Sequence, residues 1–330
     1  MMVWLIFIGS SVLLVFAAMK LAQFGDIIAA RTGLGRLFVG TLLLAAATSL
    51  PELLTSINAL SLGVPDLAVG NFMGSNMFNM FLLGVLDLVG RQARILRRVA
   101  MRHALTAGLA ILLSGLAVFF ILADVKLCIG WFGLDSLCIG AVYIAGLRLI
   151  HANNQARAET HSDVGAITEE LSLVWALTGF AAATALLIVV SPWLVRSSKE
   201  IAQITGLSTG FIGTALVGVV TSLPEVATSI AAVRIGAYDM AVGNLFGSNA
   251  FNMLALGLTD AFYLEGRFFG VITPEFALVG LLGLILTGLG LLGNLARVER
   301  RLGFVEVDAL IIMAGYLIGM FFLYSRGIGV

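Results

Sequence analysis

The chain has 330 residues, of which 60% are hydrophobic and only 12% charged, and its formal net charge is zero. A soluble domain carries about 25% charged residues, and one this apolar would show large sticky patches to water. The composition therefore excludes an ordinary aqueous globule, and the charge balance implies no nucleic acid as a partner.

A helix needs about 20 apolar residues to cross a bilayer. Ten segments approach that length, at 2–21, 37–60, 67–89, 104–123, 136–152, 172–194, 210–232, 240–262, 275–296 and 308–324. The first has no basic residue before Lys20, so it reads as a retained span and not a cleaved leader. The fifth opens at Asp135, placed as an N-cap at the interface. Cys128 and Cys138 lie ten residues apart, roughly 15 Å along a helix and beyond disulfide reach, and read as small apolar fillers. The longest polar stretch, 153–171, links two halves, 1–152 and 172–330. It holds His161, with His151 at its edge, while His103 borders another loop; all three read as solvated. Fourteen of the nineteen Lys and Arg fall in the loops after odd-numbered spans. Basic loops stay in the cytoplasm, so both termini are expected outside a cell (inner) membrane.

A self-match appears at a shift of 173 residues. Thr48-Ser49-Leu50-Pro51-Glu52 repeats as Thr221-Ser222-Leu223-Pro224-Glu225. The block containing Gly70, Asn71, Gly74, Ser75, Asn76 and Asn79 repeats as Gly243, Asn244, Gly247, Ser248, Asn249 and Asn252. Residues 40–87 and 213–260 share 27 identities in 48 positions without a gap, and the register carries on through Asp135 with Asp308 and Tyr143 with Tyr316. Each unit has five spans, an odd number, so tandem units run oppositely through the membrane. The expected fold class is all-α integral membrane, with ten transmembrane helices as two inverted five-helix repeats. That architecture suits a secondary transporter with its substrate at the midplane.

Glu52 and Glu225 are the only ionisable residues deep in a span, where a carboxylate costs at least about 2.5–3.5 kcal/mol. Asp87 and Asp260 sit near helix ends and read as interfacial anchors or caps. Thr48 and Ser49 share a helical face with Glu52, and Thr221 and Ser222 share one with Glu225. Pro51 and Pro224 lack an N–H and should loosen the helix just before them, near Ala47 in the first unit. Such irregular backbone is tolerated at membrane depth only where it lines protein or a cavity. Asn71, Ser75 and Asn79 recur every four residues as one polar stripe, as do Asn244, Ser248 and Asn252. The Gly70/Gly74 and Gly243/Gly247 steps let helices approach closely. These groups offer oxygen alone, with no intramembrane His or Cys cluster, which disfavours zinc or copper. Hard cations take oxygen ligands: two carboxylates balance one Ca²⁺, and flanking neutral oxygens could hold Na⁺. A buried glutamate could also carry H⁺. An intramembrane enzyme lacks any nucleophile–base pair or metal motif here, and a passive channel suits the inverted repeat poorly.

The paired T-S-L-P-E and G-N-x-x-G-S-N-x-x-N blocks resemble the two α-repeats of the sodium/calcium exchanger family, within the cation/calcium antiporters. Short prokaryotic members have a similar length and lack a large calcium-sensing insert. The resemblance implies Ca²⁺/Na⁺ antiport by alternating access, with no cofactor, no obligate protein partner, and ions held between helices 2, 3, 7 and 8. It implies Glu52 and Glu225 as calcium ligands, with Thr48, Ser49, Ser75, Asn79, Thr221, Ser222, Ser248 and Asn252 completing the cation sites, and sliding of helices 1 and 6. Two departures stand out. Ala47 and Val220 occupy positions where the family often has Gly, and Asn252 stands where some exchangers have Asp. Sodium stoichiometry, electrogenicity and the choice among Na⁺, H⁺ and K⁺ stay open.

Overall fold

The computed structural model describes residues 2–32, 45–89, 95–158, 172–295, 301–302 and 305–327. Ten principal helices follow in order: α1 (Met2–Thr32), α2 (Leu50–Ser61), α3 (Pro65–Val89), α4 (Ile95–Ala123), α5 (Leu134–Ala158), α6 (Leu173–Thr205), α7 (Leu223–Arg234), α8 (Tyr238–Leu258), α9 (Phe276–Leu295) and α10 (Val307–Arg326). A helical turn at 45–48 leads into α2. A longer arm leads into α7, made of Thr209–Ile212, a π-helical turn Gly213–Val217 and Gly218–Thr221. Among the described residues, seven helical units are long and apolar enough to span a bilayer, including Thr209–Arg234 as one.

Several helices outrun their apolar stretches. The first continues to Thr32, the fourth starts at Ile95 and the fifth ends at Ala158. The first part of the expected second span and most of the 153–171 segment, with His161, lie outside the described residues.

The packing repeats with inverted symmetry. α3 lies against α9 and α10, and α8 lies against their counterparts α4 and α5. α1 and α6 pack mainly along each other. Their outer faces expose Leu5, Phe16, Val189 and Trp193 to the surroundings, as helices facing lipid must. α3 and α8 are enclosed, so their Asn stripes meet protein and not lipid. A short antiparallel hairpin precedes the last helix of each half: β1 (Cys128–Ile129) with β2 (Phe132–Gly133), and β3 (Arg301–Leu302) with β4 (Val305–Glu306).

Three expectations change near the ends of the bundle. Asp135 is not an N-cap. It lies in the first turn of α5, fully buried, where it accepts from Ser136 N at 2.8 Å and pairs with Arg267 at 2.7 Å. Arg267 also binds Asp124. A buried carboxylate needs such a partner, because leaving it alone would cost several kcal/mol. Asp260 is not at a watery end either. It is buried and accepts from Gly133 N at 2.6 Å and Phe268 N at 2.5 Å, tying the first hairpin to the loop after α8. His103 is not simply solvated: its ring covers Gly243 and sits 3.7 Å from Asp239, with only 15% of the side chain exposed. Cys128 and Cys138 are both free thiols.

Candidate functional site

Each glutamate-bearing helix begins at a break. Ser49 and Ser222 have nearly the same backbone angles, φ −91° with ψ 2° and φ −86° with ψ 1°. That bridge region is sparsely populated and favoured at functional positions. The break falls two residues before Pro51 and Pro224, as a missing N–H and a ring clash with the preceding turn require. It turns the arm and the following helix so that Thr, Ser and Glu of one motif point inward together.

Close approach sets the other wall. A methyl on Gly70 or Gly74 would overlap the backbone of the α7 arm at Gly210 and Thr214, and one on Gly213 would meet Leu67. A methyl on Gly218 would sit 2.9 Å from Ser75 N. With no Cβ on either side, α3 and the arm touch backbone to backbone. Ser75 Oγ thereby donates to Gly218 O at 3.1 Å, across the boundary between halves. The π-helical turn lies in this same arm; such turns commonly mark functional segments.

Hydrogen bonds bring Glu52 together with Ser75, Thr221 and Ser222, Glu225 with Ser49, and Thr48 with Ser248, while Asn79 and Asn252, one turn further along α3 and α8, bond to Asn249 and Asn76. Glu52, Glu225, Thr48, Ser49, Ser75, Asn79, Thr221, Ser222, Ser248 and Asn252 are all fully buried. The bonds cross between halves in symmetric pairs. Ser222 Oγ donates to Glu52 Oε1 and Ser49 Oγ to Glu225 Oε1, both at 3.3 Å. Ser75 Oγ also donates to Glu52 Oε1 at 3.4 Å. Ser75 meets Thr221, and Ser248 meets Thr48, at 3.4 Å in each case.

Four oxygens in the cluster lack any hydrogen-bond partner although wholly buried: Glu52 Oε2, Glu225 Oε2, Asn79 Oδ1 and Asn252 Oδ1. A buried oxygen left without a donor costs about 1–3 kcal/mol, more when charged. Among the described residues neither glutamate pairs with Lys, Arg or His. The arrangement, rich in unsatisfied acceptors and poor in cations, can coordinate a hard cation or take up protons.

Sequence reasoning missed Asn76 and Asn249. They belong to the duplicated block, so the signal was present. They lie one residue past Ser75 and Ser248, about 100° around the helix from the serine stripe, and only the packing of α3 on α8 brings them together. Asn71 also does more than line a stripe. It donates to Glu52 O and Ser56 Oγ, both at 3.0 Å, and accepts from Thr221 Oγ1 at 2.9 Å.

Comparisons with known proteins place the chain in a family. The family described as sodium/calcium exchanger protein matches residues 2–149 and 175–325. CaxA of Alkalimonas amylolytica is 30% identical over 260 residues, covering 74% of this chain and 76% of its own. The fold is like that of the sodium/calcium exchanger from Methanococcus jannaschii, with a TM-score of 0.59, 22% identity and 96% of each chain covered. It is also like that of an H⁺/Ca²⁺ exchanger, CAX, with a TM-score of 0.64, 15% identity, 99% of this chain and 89% of that one. With an inverted ten-helix fold, a duplicated acidic core and a match across both halves, the chain belongs to the sodium/calcium exchanger protein family, whose members are membrane transporters and not enzymes.

Proposed function

We propose that this chain is a secondary active antiporter that exchanges Ca²⁺ for Na⁺ by alternating access. Ions bind at the midplane between α2, α3, α7 and α8. One observation carries the reading: two wholly buried carboxyls each keep an unpartnered oxygen, Asn79 and Asn252 on the adjoining helices each keep an unpartnered amide oxygen, and among the described residues no cationic side chain pairs with either glutamate. Glu52 and Glu225 supply the two charges that Ca²⁺ requires. Thr48, Ser49, Ser75, Asn79 and their counterparts Thr221, Ser222, Ser248 and Asn252 supply neutral oxygens for Ca²⁺ and Na⁺, the donor set that hard cations prefer. No cofactor enters this scheme.

The organisation that follows is two half-units, 1–152 and 172–330, joined by a linker at 153–171. The site lies where their inverted motifs meet. The basic-residue bias supports a cell (inner) membrane location with both termini outside.

A second reading keeps the site and changes the coupling ion. Both unpartnered carboxyl oxygens can accept H⁺, and position 252 is Asn, so the core holds two acids and no third. Proton-coupled or K⁺-dependent exchange is the alternative. Purified protein in liposomes, given Na⁺, K⁺ or pH gradients one at a time, separates them. Under the first reading ⁴⁵Ca²⁺ uptake follows the Na⁺ gradient and disappears in Glu52→Gln and in Glu225→Gln. Uptake driven by a pH gradient alone selects the second. Uptake undiminished by both substitutions removes the site.

A further inference from the structure

α3 and α8 meet through four asparagines arranged about the axis that relates the halves. Asn76 Nδ2 donates to Asn249 O at 3.3 Å, and Asn249 Nδ2 donates to Asn76 O at 3.2 Å. This reciprocal pair leaves each side-chain oxygen free to accept once more. Asn252 Nδ2 donates to Asn76 Oδ1, and Asn79 Nδ2 donates to Asn249 Oδ1, both at 3.0 Å. Asn249 Nδ2 also reaches Thr287 Oγ1 at 3.5 Å. All four amides are at most 3% exposed, so water does not compete.

The consequence is directional. A terminal amide can present either its oxygen or its NH₂ to a cavity. With Nδ2 of Asn79 and Asn252 held by a partner oxygen, their Oδ1 atoms are the ones left unpartnered. Flipping either amide would set oxygen against oxygen at the partner and turn N–H donors toward a cation. The acceptors Asn76 Oδ1 and Asn249 Oδ1 forbid that flip.

We propose that Asn76 and Asn249 are positioning residues that fix the carbonyls of Asn252 and Asn79 toward the bound cation. Each half thereby sets the ligand of the other. The inference rests on the cation site proposed above. It assigns roles to two residues that need not touch the ion, and it makes coupling between halves a property of four amides. Partners that orient metal ligands from behind typically alter affinity 10–100-fold when removed.

The test is a double-mutant cycle read as Ca²⁺ KM and Vmax for uptake by the full chain in liposomes. Asn76→Leu is expected to raise KM about tenfold, with Vmax within about threefold of wild type. Combined with Asn252→Ala it adds nothing further, because its effect runs through Asn252. Combined with Asn79→Ala the two effects multiply, since that carbonyl is held from Asn249. Asn76→Asp keeps the acceptor for Asn252 but sets an oxygen against Asn249 O, so it recovers part of the KM lost in Asn76→Leu. A general packing defect would instead multiply with both alanine variants and gain nothing from Asn76→Asp. A monodisperse Asn76→Leu protein with wild-type KM, or one whose effect multiplies with Asn252→Ala, overturns the proposal. Should Asn76→Leu fail to elute as a single species, Asn249→Ser with Asn79→Ala gives the mirror cycle with the same two outcomes. Glu52→Gln in parallel separates the claims. If it transports normally, the cation site itself is wrong; if it is dead while the asparagine cycle is silent, the positioning role alone falls.

Discussion

The two halves share a motif at a shift of 173 residues, yet their polar chains are in different conditions. In the first half the chain is closed. Thr221 donates to Asn71, Asn71 donates to Ser56, and Ser56 donates to Ala68 O at 3.3 Å. In the second half the corresponding chain is open. Asn244 donates to Thr228 at 3.1 Å, while Asn244 Oδ1 and Ser229 Oγ have no partner. The arms differ too. The 209–221 arm is seated on α3 by glycines, with Gly218 against Ser75. Its counterpart position is Ala45, whose Cβ would lie 3.1 Å from a methyl at Gly247. Similar sequence thus sits in two unlike environments, as expected of one state of a carrier if the proposed alternating access holds. Under that proposal, the two halves exchange arrangements when the site opens to the other side.

The largest expected effect is the one that ignores this difference: Glu52→Gln and Glu225→Gln each abolish Ca²⁺ uptake, because both charges serve one ion. If only one variant were dead, the halves would be unequal in chemistry and not merely in conformation. Next comes the seat of the arm. Gly74→Ala forces a methyl into the backbone of Thr214, whereas among the described residues Gly247→Ala meets only the Ala45 methyl, which can yield. Overpacking costs about 1–3 kcal/mol, so Gly74→Ala should lower the melting temperature in detergent clearly more than Gly247→Ala. Equal shifts would mean that the two seats are equally tight on average.

A smaller contrast concerns the stripes. Asn71→Ala removes three bonds, to Glu52 O, to Ser56 Oγ and from Thr221 Oγ1, each worth about 1 kcal/mol, while Ser56 and Thr221 keep other partners. Asn244→Ala removes a single bond to Thr228, about 1 kcal/mol. Denaturation midpoints of the two variants, measured side by side, check the ranking. The smallest effect is at the threonines. Among the described residues, Thr221→Val loses bonds at 2.9 and 3.0 Å, to Asn71 and to Val217 O, whereas Thr48→Val loses longer ones at 3.2 and 3.4 Å. Thr221→Val should therefore raise the Ca²⁺ KM a fewfold more than Thr48→Val. The order would reverse if liposome conditions held the protein in the opposite state.

Much of this was legible in the chain. Apolar runs of span length and an odd number of spans per repeat require inverted halves, since backbone in lipid has few solutions. Pro51 and Pro224 locate the helix breaks because a missing N–H acts locally. The buried glutamates stand out because charge at midplane is rare and costly. Local chemistry did not reach Asp135, whose buried pairing with Arg267 depends on a loop 132 residues away, nor His103, which packs on a glycine of the other half.

The sequence by itself determined the membrane, the duplication and the identity of the acids. These follow from composition, period and the cost of charge in hydrocarbon, and each can be read one segment at a time. Tertiary structure alone decided which serine serves which glutamate, that Asn76 meets Asn249, and that one half is closed while the other is open. Those outcomes belong to contacts between helices more than a hundred residues apart, where the fold of one half chooses the partners of the other.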